Sequence, residues 1–169
     1  LPKKFNFNDS RGGLTKITNI PNNFNVKQVI VSKTQKALTA RGLHYASEPK
    51  SESKIISCVQ GSVIWVSINR ISEEIIEMES RKLSSTDNEL YFVPKGRIHG
   101  CIISEDDTLI QIISNNDYDP NCSVHYEWGD LLKEVCIKNR INPELVWDSE
   151  KDTSHKRISL KYKKSIYSK

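Results

Sequence analysis

The chain has 169 residues and a formal net charge of +4, from 25 basic and 21 acidic residues. This length fits one domain with a buried core, so we expect a single domain over 1–169 with its core at about 9–152. The small positive excess does not indicate nucleic-acid binding. Much of it lies in "SHKRISLKYKKSIYSK", which predicts a basic C-terminal tail over 153–169.

The four cysteines form no C-x-x-C pair. Cys58 and Cys101 lie in apolar, strand-like runs, so we expect buried free thiols and no disulfide framework. No apolar run approaches the roughly 20 residues needed to span a bilayer, and no signal peptide is visible. These features predict a cytoplasmic protein with no membrane partner.

Short apolar segments separated by polar turns follow one another through the first two thirds of the chain. In "NVKQVIVSKT", residues 26, 28, 30 and 32 alternate with residues 27, 29, 31 and 33, as in a strand with two different faces. "SKIISCVQGSVIWVSINR" predicts two strands that meet at Gln60-Gly61. Further strands are predicted in "IIEMESRKLSS", on both sides of the Pro-Lys-Gly turn in "NELYFVPKGRIHGCIIS", and in "DDTLIQIISNNDYDP".

Helical periodicity is sparse. "GDLLKEVCIKNRI" places apolar residues at Leu131, Leu132, Val135 and Cys136, which is a helical spacing. Strands as closely spaced as those before it are typical of an antiparallel barrel or sandwich. The sequence therefore predicts an all-β fold with a short C-terminal helical segment.

Several polar residues are candidates for chemistry, each with a structural alternative. His44 in "RGLHY" could serve as a general base, and Gly42 would allow close approach, although a histidine on a strand is more often structural. His99 in "PKGRIHG" has the same two explanations. Lys54 could hold an oxyanion in a barrel mouth or be solvated at a strand end, and Arg11 in "DSRGG" could bind phosphate or lie in a surface turn.

Metal binding and nucleophilic catalysis have little support. His44 has no histidine two residues on, and Glu48 lies in a predicted turn, so no metal site is expected. No serine or cysteine lies in a nucleophile-elbow pattern, and neither a P-loop nor G-x-G-x-x-G occurs.

The order of several short blocks resembles the dTDP-4-dehydrorhamnose 3,5-epimerase family, a branch of the cupins. The blocks are "DSRG", "QVIVS", "RGLHY", a lysine, "VQGSV", "VPKGRIHG", "DYDP", "EWGD" and "SEKD". The resemblance implies a cupin jelly-roll barrel, usually a homodimer with exchanged N-terminal strands. It implies a nucleotide-linked 4-keto sugar as substrate, with no metal or redox cofactor.

The resemblance also implies roles for individual residues. His44 takes the place of the base that removes a proton beside the ketone, and Asp152 in "SEKD" takes the place of its carboxylate partner. Lys54 matches the lysine that stabilises the enolate. The other matches are substrate-binding positions, namely two phosphate-binding arginines, two pocket-lining residues and a tyrosine near the nucleotide: Arg11, Arg41, Gln28, His99 and Tyr118.

The chain departs from the family pattern at several positions. Gln111 is expected where the family has a tyrosine that returns a proton to the sugar, and glutamine has no such proton to give. Trp65 and Asn69 stand where the family has acidic residues. Lys16 stands about where a glutamate would contact the base, so the nucleotide need not be thymidine.

Three interpretations follow from the sequence. The first is an epimerase acting at C3, C5 or both of a 4-keto-6-deoxy sugar nucleotide, in surface polysaccharide or deoxysugar synthesis; a mono-epimerase, which acts at one carbon only, is included. The second is an isomerase or epimerase of a different nucleotide-linked hexose or heptose. The third is a catalytically idle cupin that binds a sugar nucleotide or a partner protein. His44, Lys54 and Asp152 together favour the first two.

Overall fold

The computed structural model describes residues 1–149 and 155–168. Its α-helix, α1, spans Gly129–Lys138, and two 3-10 turns lie at Pro120–Cys122 and Pro143–Leu145. The strands are β1 (Lys3–Asp9), β2 (Gly12–Thr18), β3 (Gln28–Thr34), β4 (Thr39–Ala46), β5 (Lys54–Gln60), β6 (Ser62–Arg70), β7 (Ile75–Ser84), β8 (Tyr91–Val93), β9 (Ile98–Ile103), β10 (Thr108–Ser114), β11 (Ser123–Glu127), β12 (Trp147–Asp148), β13 (Arg157–Ser159) and β14 (Lys164–Tyr167).

Two sheets face each other and form the barrel. The smaller sheet has the order β3-β10-β5-β8, and the larger has the order β13-β11-β4-β9-β6-β7-β14, with β12 also paired to β4. The central pairings are antiparallel, whereas β12, β13 and β14 join the larger sheet in parallel. The predicted all-β, cupin-type jelly-roll barrel with a short C-terminal helix is confirmed.

The tight turn between β5 and β6 shows why the predicted strand break occurs at Gln60-Gly61. Gly61 has a φ of +72°, a conformation that side chains with a Cβ rarely adopt. A Cβ at this position would also collide with the side chain of Thr108. Glycine is therefore required where the chain reverses from the smaller sheet to the larger one.

Alternate residues of each strand pack on opposite faces of the larger sheet. On β6, Val63 and Trp65 belong to the cluster inside the barrel, whereas Ile64, Val66 and Ile68 face the helix side. The helix covers that outer face with its apolar stripe, whose buried members are Leu131, Val135 and Cys136. Cys58 and Cys101 are buried in the interior cluster, as predicted.

The two ends of the chain are tied to the barrel. The Lys4 ammonium donates hydrogen bonds to the carbonyl oxygens of Cys58, at 3.0 Å, and Ser84, at 2.7 Å, which fixes β1. Near the C-terminus, the Tyr162 hydroxyl donates to Glu134 on α1 at 2.7 Å, and β14 extends the larger sheet beside β7. Among the residues with described positions, no helix has the length and apolar character needed to cross a membrane.

Candidate active site

A row of polar side chains crosses the interior face of the larger sheet. His125, His44 and His99 are direct partners across β11, β4 and β9. The row continues to Ser67 on β6 and Glu79 on β7. Because cross-strand partners project from the same face of a sheet, all five side chains point into the barrel at one level.

The bulge in "RGLH" allows Arg41 and His44 to share the interior face although they are three residues apart. The register of β4 against β9 shifts between Gly42 and His44. Gly42 has a φ of +90°, and a Cβ on it would lie 2.8 Å from the carbonyl oxygen of His99. The glycine thus permits close approach of β4 and β9 beside His44.

All four histidines of the chain lie in one series of ring contacts. The ring centroid of His44 lies 4.7 Å from that of His99 and 5.9 Å from that of His125. His155, which is exposed, stacks on His125 at 4.2 Å. Within 1–149 and 155–168, no three histidine, cysteine or acidic side chains are arranged to hold a metal ion.

His44 is held in its neutral form. Burial lowers the pKa of His44 to about 3, and the nearby Lys54, His125, Arg41 and His155 act in the same direction. At neutral pH the imidazole therefore carries an unshared electron pair that can accept a proton, which is the form required of a general base.

Lys54 reaches from β5 on the smaller sheet to His99 on the larger one. Its Nζ lies 3.0 Å from Nε2 of His99, and because an ammonium group only donates, Nε2 is the acceptor. The proton of His99 is then on Nδ1, which donates to the carbonyl oxygen of Arg97 at 2.9 Å. Burial, followed by Lys54 and His44, lowers the pKa of His99, so this ring is also neutral.

Lys54 also forms an ion pair with a carboxylate that the sequence analysis did not predict. Oε1 of Glu52 lies 3.0 Å from Nζ of Lys54, and each of these side chains is only 8% exposed. The other oxygen of Glu52 accepts a hydrogen bond from the Ser114 hydroxyl. The sequence could have revealed this pair, because a spacing of two residues places Glu52 and Lys54 on one face of an extended segment.

Arg41 lies one step further along the barrel interior. Its Nη1 donates to Ser32, at 2.7 Å, and Thr34, at 3.1 Å, both on β3. It lines a cavity of about 650 Å³ together with Trp147. The described lining includes three basic side chains and no carboxylate, which suits an anionic ligand: Lys33, Thr34, Gln35, Lys36, Thr39, Arg41, Trp147 and Ser149.

Gln28 and Tyr118 lie near the Lys54 end of the barrel. Gln28 on β3 is the cross-strand partner of Ser114, which is in turn the partner of Lys54. The Gln28 amide donates to the carbonyl oxygen of Asn116 at 2.9 Å. Tyr118, two residues after Asn116 in the chain, is 60% exposed.

Two of the predicted site residues, Arg11 and Gln111, point away from the barrel interior, and a third is not described. Arg11 lies in the turn between β1 and β2, where its guanidinium pairs with Asp9 at 2.5 Å and its side chain is 88% exposed. Gln111 lies on the outer face of β10 and accepts a hydrogen bond from Ser57 at 3.4 Å. Asp152 lies outside the described residues.

The face of β10 on which Gln111 lies follows from the packing of its neighbours. Its neighbours Ile110 and Ile112 pack in the interior cluster, whereas Ile113 packs with Ile55 on the other face of the smaller sheet. Since a strand alternates its faces, residue 111 points away from the interior. The inward positions of β10 carry no ionisable side chain: Thr108, Ile110, Ile112 and Ser114.

The fold and the interior row define a jelly-roll protein of the cupin class with a basic, histidine-rich interior. A protein-family model described as dTDP-4-dehydrorhamnose 3,5-epimerase matches residues 5–159. The chain therefore belongs to the dTDP-4-dehydrorhamnose 3,5-epimerase family.

Individual relatives agree with this membership. The dTDP-4-dehydrorhamnose 3,5-epimerase of Mycobacterium tuberculosis (strain CDC 1551 / Oshkosh) is 32% identical over 97 residues, which cover 56% of this chain and 48% of the relative. The enzyme of Shigella flexneri is 28% identical over 121 residues, covering 70% of this chain and 65% of that protein. The chain thus spans about half the length of most curated relatives that it matches.

Solved structures share the fold. The dTDP-4-dehydrorhamnose 3,5-epimerase of Bacillus anthracis str. Ames, with TDP and PPi bound, superposes with a TM-score of 0.72 at 24% identity, covering 92% of this chain and 91% of that one. ChmJ, a 3'-monoepimerase from Streptomyces bikiniensis in complex with dTDP-quinovose, gives a TM-score of 0.68 at 18% identity, covering 89% and 80%. At these identities the likeness concerns the fold alone.

Proposed function

We propose that the chain is an epimerase that inverts C3, C5 or both of a 4-keto-6-deoxy sugar linked to a nucleotide. The observation that carries the proposal is the placement of a neutral His44 against His99, whose Nε2 lies 3.0 Å from the Lys54 ammonium group inside the barrel. Family membership supplies the reaction class, an isomerase that acts on a nucleotide sugar.

The proposed reaction uses the acidity of protons beside a ketone. His44 accepts the proton from the carbon next to the 4-keto group, and the electron pair of the broken C–H bond moves onto the keto oxygen. Lys54 donates a hydrogen bond to the resulting enolate oxygen and stabilises its negative charge. A water molecule then gives a proton to the opposite face of the same carbon, which completes the inversion, and the resulting hydroxide takes up the proton held by His44.

The bound substrate would also adjust the basicity of His44. A buried imidazole near Lys54 and Arg41 is a weak base, because burial and these neighbouring charges disfavour its protonated form. A diphosphate held by Arg41 would bring negative charge into the same interior. Asp152, as the proposed partner of His44, would act in the same direction and orient the ring.

We propose a nucleoside diphosphate as the handle by which the sugar is held. The cavity beside Arg41 offers three cations and the half-exposed indole of Trp147, which suit phosphates and an aromatic base. The relative from Bacillus anthracis binds TDP and PPi, and ChmJ binds dTDP-quinovose. Gln28, His99 and Tyr118 remain proposed substrate contacts on the same grounds of position.

A homodimer with exchanged N-terminal strands is the proposed assembly. Large apolar side chains are exposed on β1, β2 and β3, which is expected of strands that a second copy would cover: Phe7, Leu14, Val29 and Val31. In such a dimer Arg11, at the tip of the hairpin, would reach the neighbouring active site. Light scattering on the purified protein would show whether its mass is that of a dimer.

A cytoplasmic location stays a prediction.

The function is tested by deuterium incorporation. The protein is incubated in heavy water with 4-keto-6-deoxyglucose linked to dTDP, and in parallel linked to GDP or UDP, while the C3 and C5 protons are followed by NMR. Exchange at both carbons supports a 3,5-epimerase, and exchange at one carbon supports a mono-epimerase. Absence of exchange with every nucleotide would refute the epimerase and favour a catalytically idle cupin.

A further inference from the structure

Lys54 is clamped between two groups inside the barrel. Its Nζ is 3.0 Å from Oε1 of Glu52 and 3.0 Å from Nε2 of His99. An ammonium group has three N–H donors, so these contacts leave one donor for an oxygen atom of a ligand. The direction of that third donor is set by the other two partners.

Glu52 is itself held in place. Its Oε2 accepts the hydrogen bond from the hydroxyl of Ser114, the residue directly opposite Lys54 on β10. Both carboxylate oxygens of Glu52 are thus engaged, and the side chain has little solvent around it. A buried charged pair of this kind loses much stability if one partner is removed, because the other charge is left without compensation.

β6, the strand that follows β5 in the chain, places an uncharged side chain beside His99. Trp65 on β6, where the family pattern has an acidic residue, is 4% exposed and stacks on His99 with ring centroids 5.7 Å apart. An indole brings no negative charge to this interior. Glu79, further along the row, is already bonded to the Tyr91 hydroxyl at 2.6 Å.

We propose that Glu52 is the positioning residue of the active site: its carboxylate pairs with the Lys54 ammonium group and aims the remaining N–H of Lys54 at the enolate oxygen. This inference rests on the proposed function. It adds a residue that acts through Lys54 and does not touch the substrate. It also supplies a carboxylate to an interior in which position 65 holds a tryptophan.

The test compares Glu52→Gln with the matched control Glu48→Gln. Glu48 is an exposed glutamate four residues away that pairs with Lys95 at 2.9 Å. We expect Glu52→Gln to slow the deuterium exchange by about 10- to 100-fold, the usual range for a lost charge-assisted hydrogen bond. The alkaline limb of its pH–rate profile should move to lower pH, because a buried amine without a counter-ion loses its proton more readily. The control should stay within about two-fold, as expected of an exposed ion pair.

A second measurement does not need activity. In protein labelled at the lysine side chains, the Lys54 resonance, assigned from its absence in Lys54→Arg, is followed by NMR as the pH rises. We expect it to titrate at lower pH in Glu52→Gln than in the unchanged protein, and Glu52→Asp, which keeps the charge, to restore most of the difference. An unchanged titration would overturn the proposal. If the unchanged protein shows no exchange, the proposed function fails, and the titration still decides the role of Glu52.

Discussion

Replacing His44 with asparagine is expected to flatten the pH dependence of the unfolding free energy on the acid side. In the folded protein the pKa of His44 is lowered to about 3 by burial and by the cations around it. In the unfolded chain it returns to the ordinary histidine value of about 6.5. Between these two values the unfolded state binds more protons than the folded state, so stability falls as the pH falls from about 6.5 towards 3.

The size of the effect follows from the same two pKa values. One group titrating in only one state changes the unfolding free energy by at most about 1.4 kcal/mol per pH unit. From pH 6.5 to pH 4.5, His44 alone should therefore remove about 2 kcal/mol. The lowered pKa of His99 acts with the same sign, but it is present in both proteins and cancels in the difference, as do the carboxylates.

The assay is urea unfolding, followed by tryptophan fluorescence, of the unchanged protein and of His44→Asn at pH 4.5, 5.5, 6.5 and 7.5. A constant offset between the two proteins would report only the loss of packing at residue 44. The quantity of interest is the change of that offset with pH, which should favour the variant by about 2 kcal/mol at the lowest pH relative to pH 6.5. Two parallel curves would refute the reasoning that His44 is shielded from protonation.

Three further outcomes are expected. Arg41→Ala should weaken dTDP binding by about 10- to 100-fold in calorimetry, because the guanidinium lines the basic cavity, and unchanged affinity would place the phosphates elsewhere. Ile112→Tyr should alter the rate or the site of deuterium exchange, whereas Gln111→Tyr should not, because only residue 112 faces the interior; a gain from Gln111→Tyr alone would contradict the register. Leu131→Ala should lower the unfolding free energy by about 2–5 kcal/mol in urea titrations, against less than about 0.5 kcal/mol for the exposed control Ile137→Ala; equal losses would contradict the packing of α1.

Local patterns predicted much of the fold because they encode short-range geometry. The tight-turn signal at Gln60-Gly61 between two apolar runs predicted β5, β6 and the turn between them, and the positive φ of Gly61 agrees with that turn. The helical spacing of Leu131 and Val135 predicted α1. By contrast, the parallel docking of β12, β13 and β14 depends on which distant strand edge is free, and no local pattern records that.

The candidate site shows the same division. The resemblance placed His44 and Lys54 in one pocket, and the structure brings both into contact with His99. Gln111 faces away from the interior, and spacing in the sequence does not show this, because a shift of one residue reverses the face of every side chain in a strand. His125 and His155 were missed because their ring partners come from residues far along the chain, whereas the pairing of Glu52 with Lys54 was missed although the two are only two residues apart.

The central claim is that His44 removes a proton from a nucleotide-linked 4-keto sugar. The most direct measurement compares deuterium exchange at C3 and C5 in the unchanged protein and in His44→Asn, at matched saturation with the sugar nucleotide as determined by calorimetry. We expect the variant to bind the nucleotide with similar affinity and to exchange at least about 100-fold more slowly, in line with the loss of a general base. Exchange at comparable rates in both proteins would show that another group takes the proton.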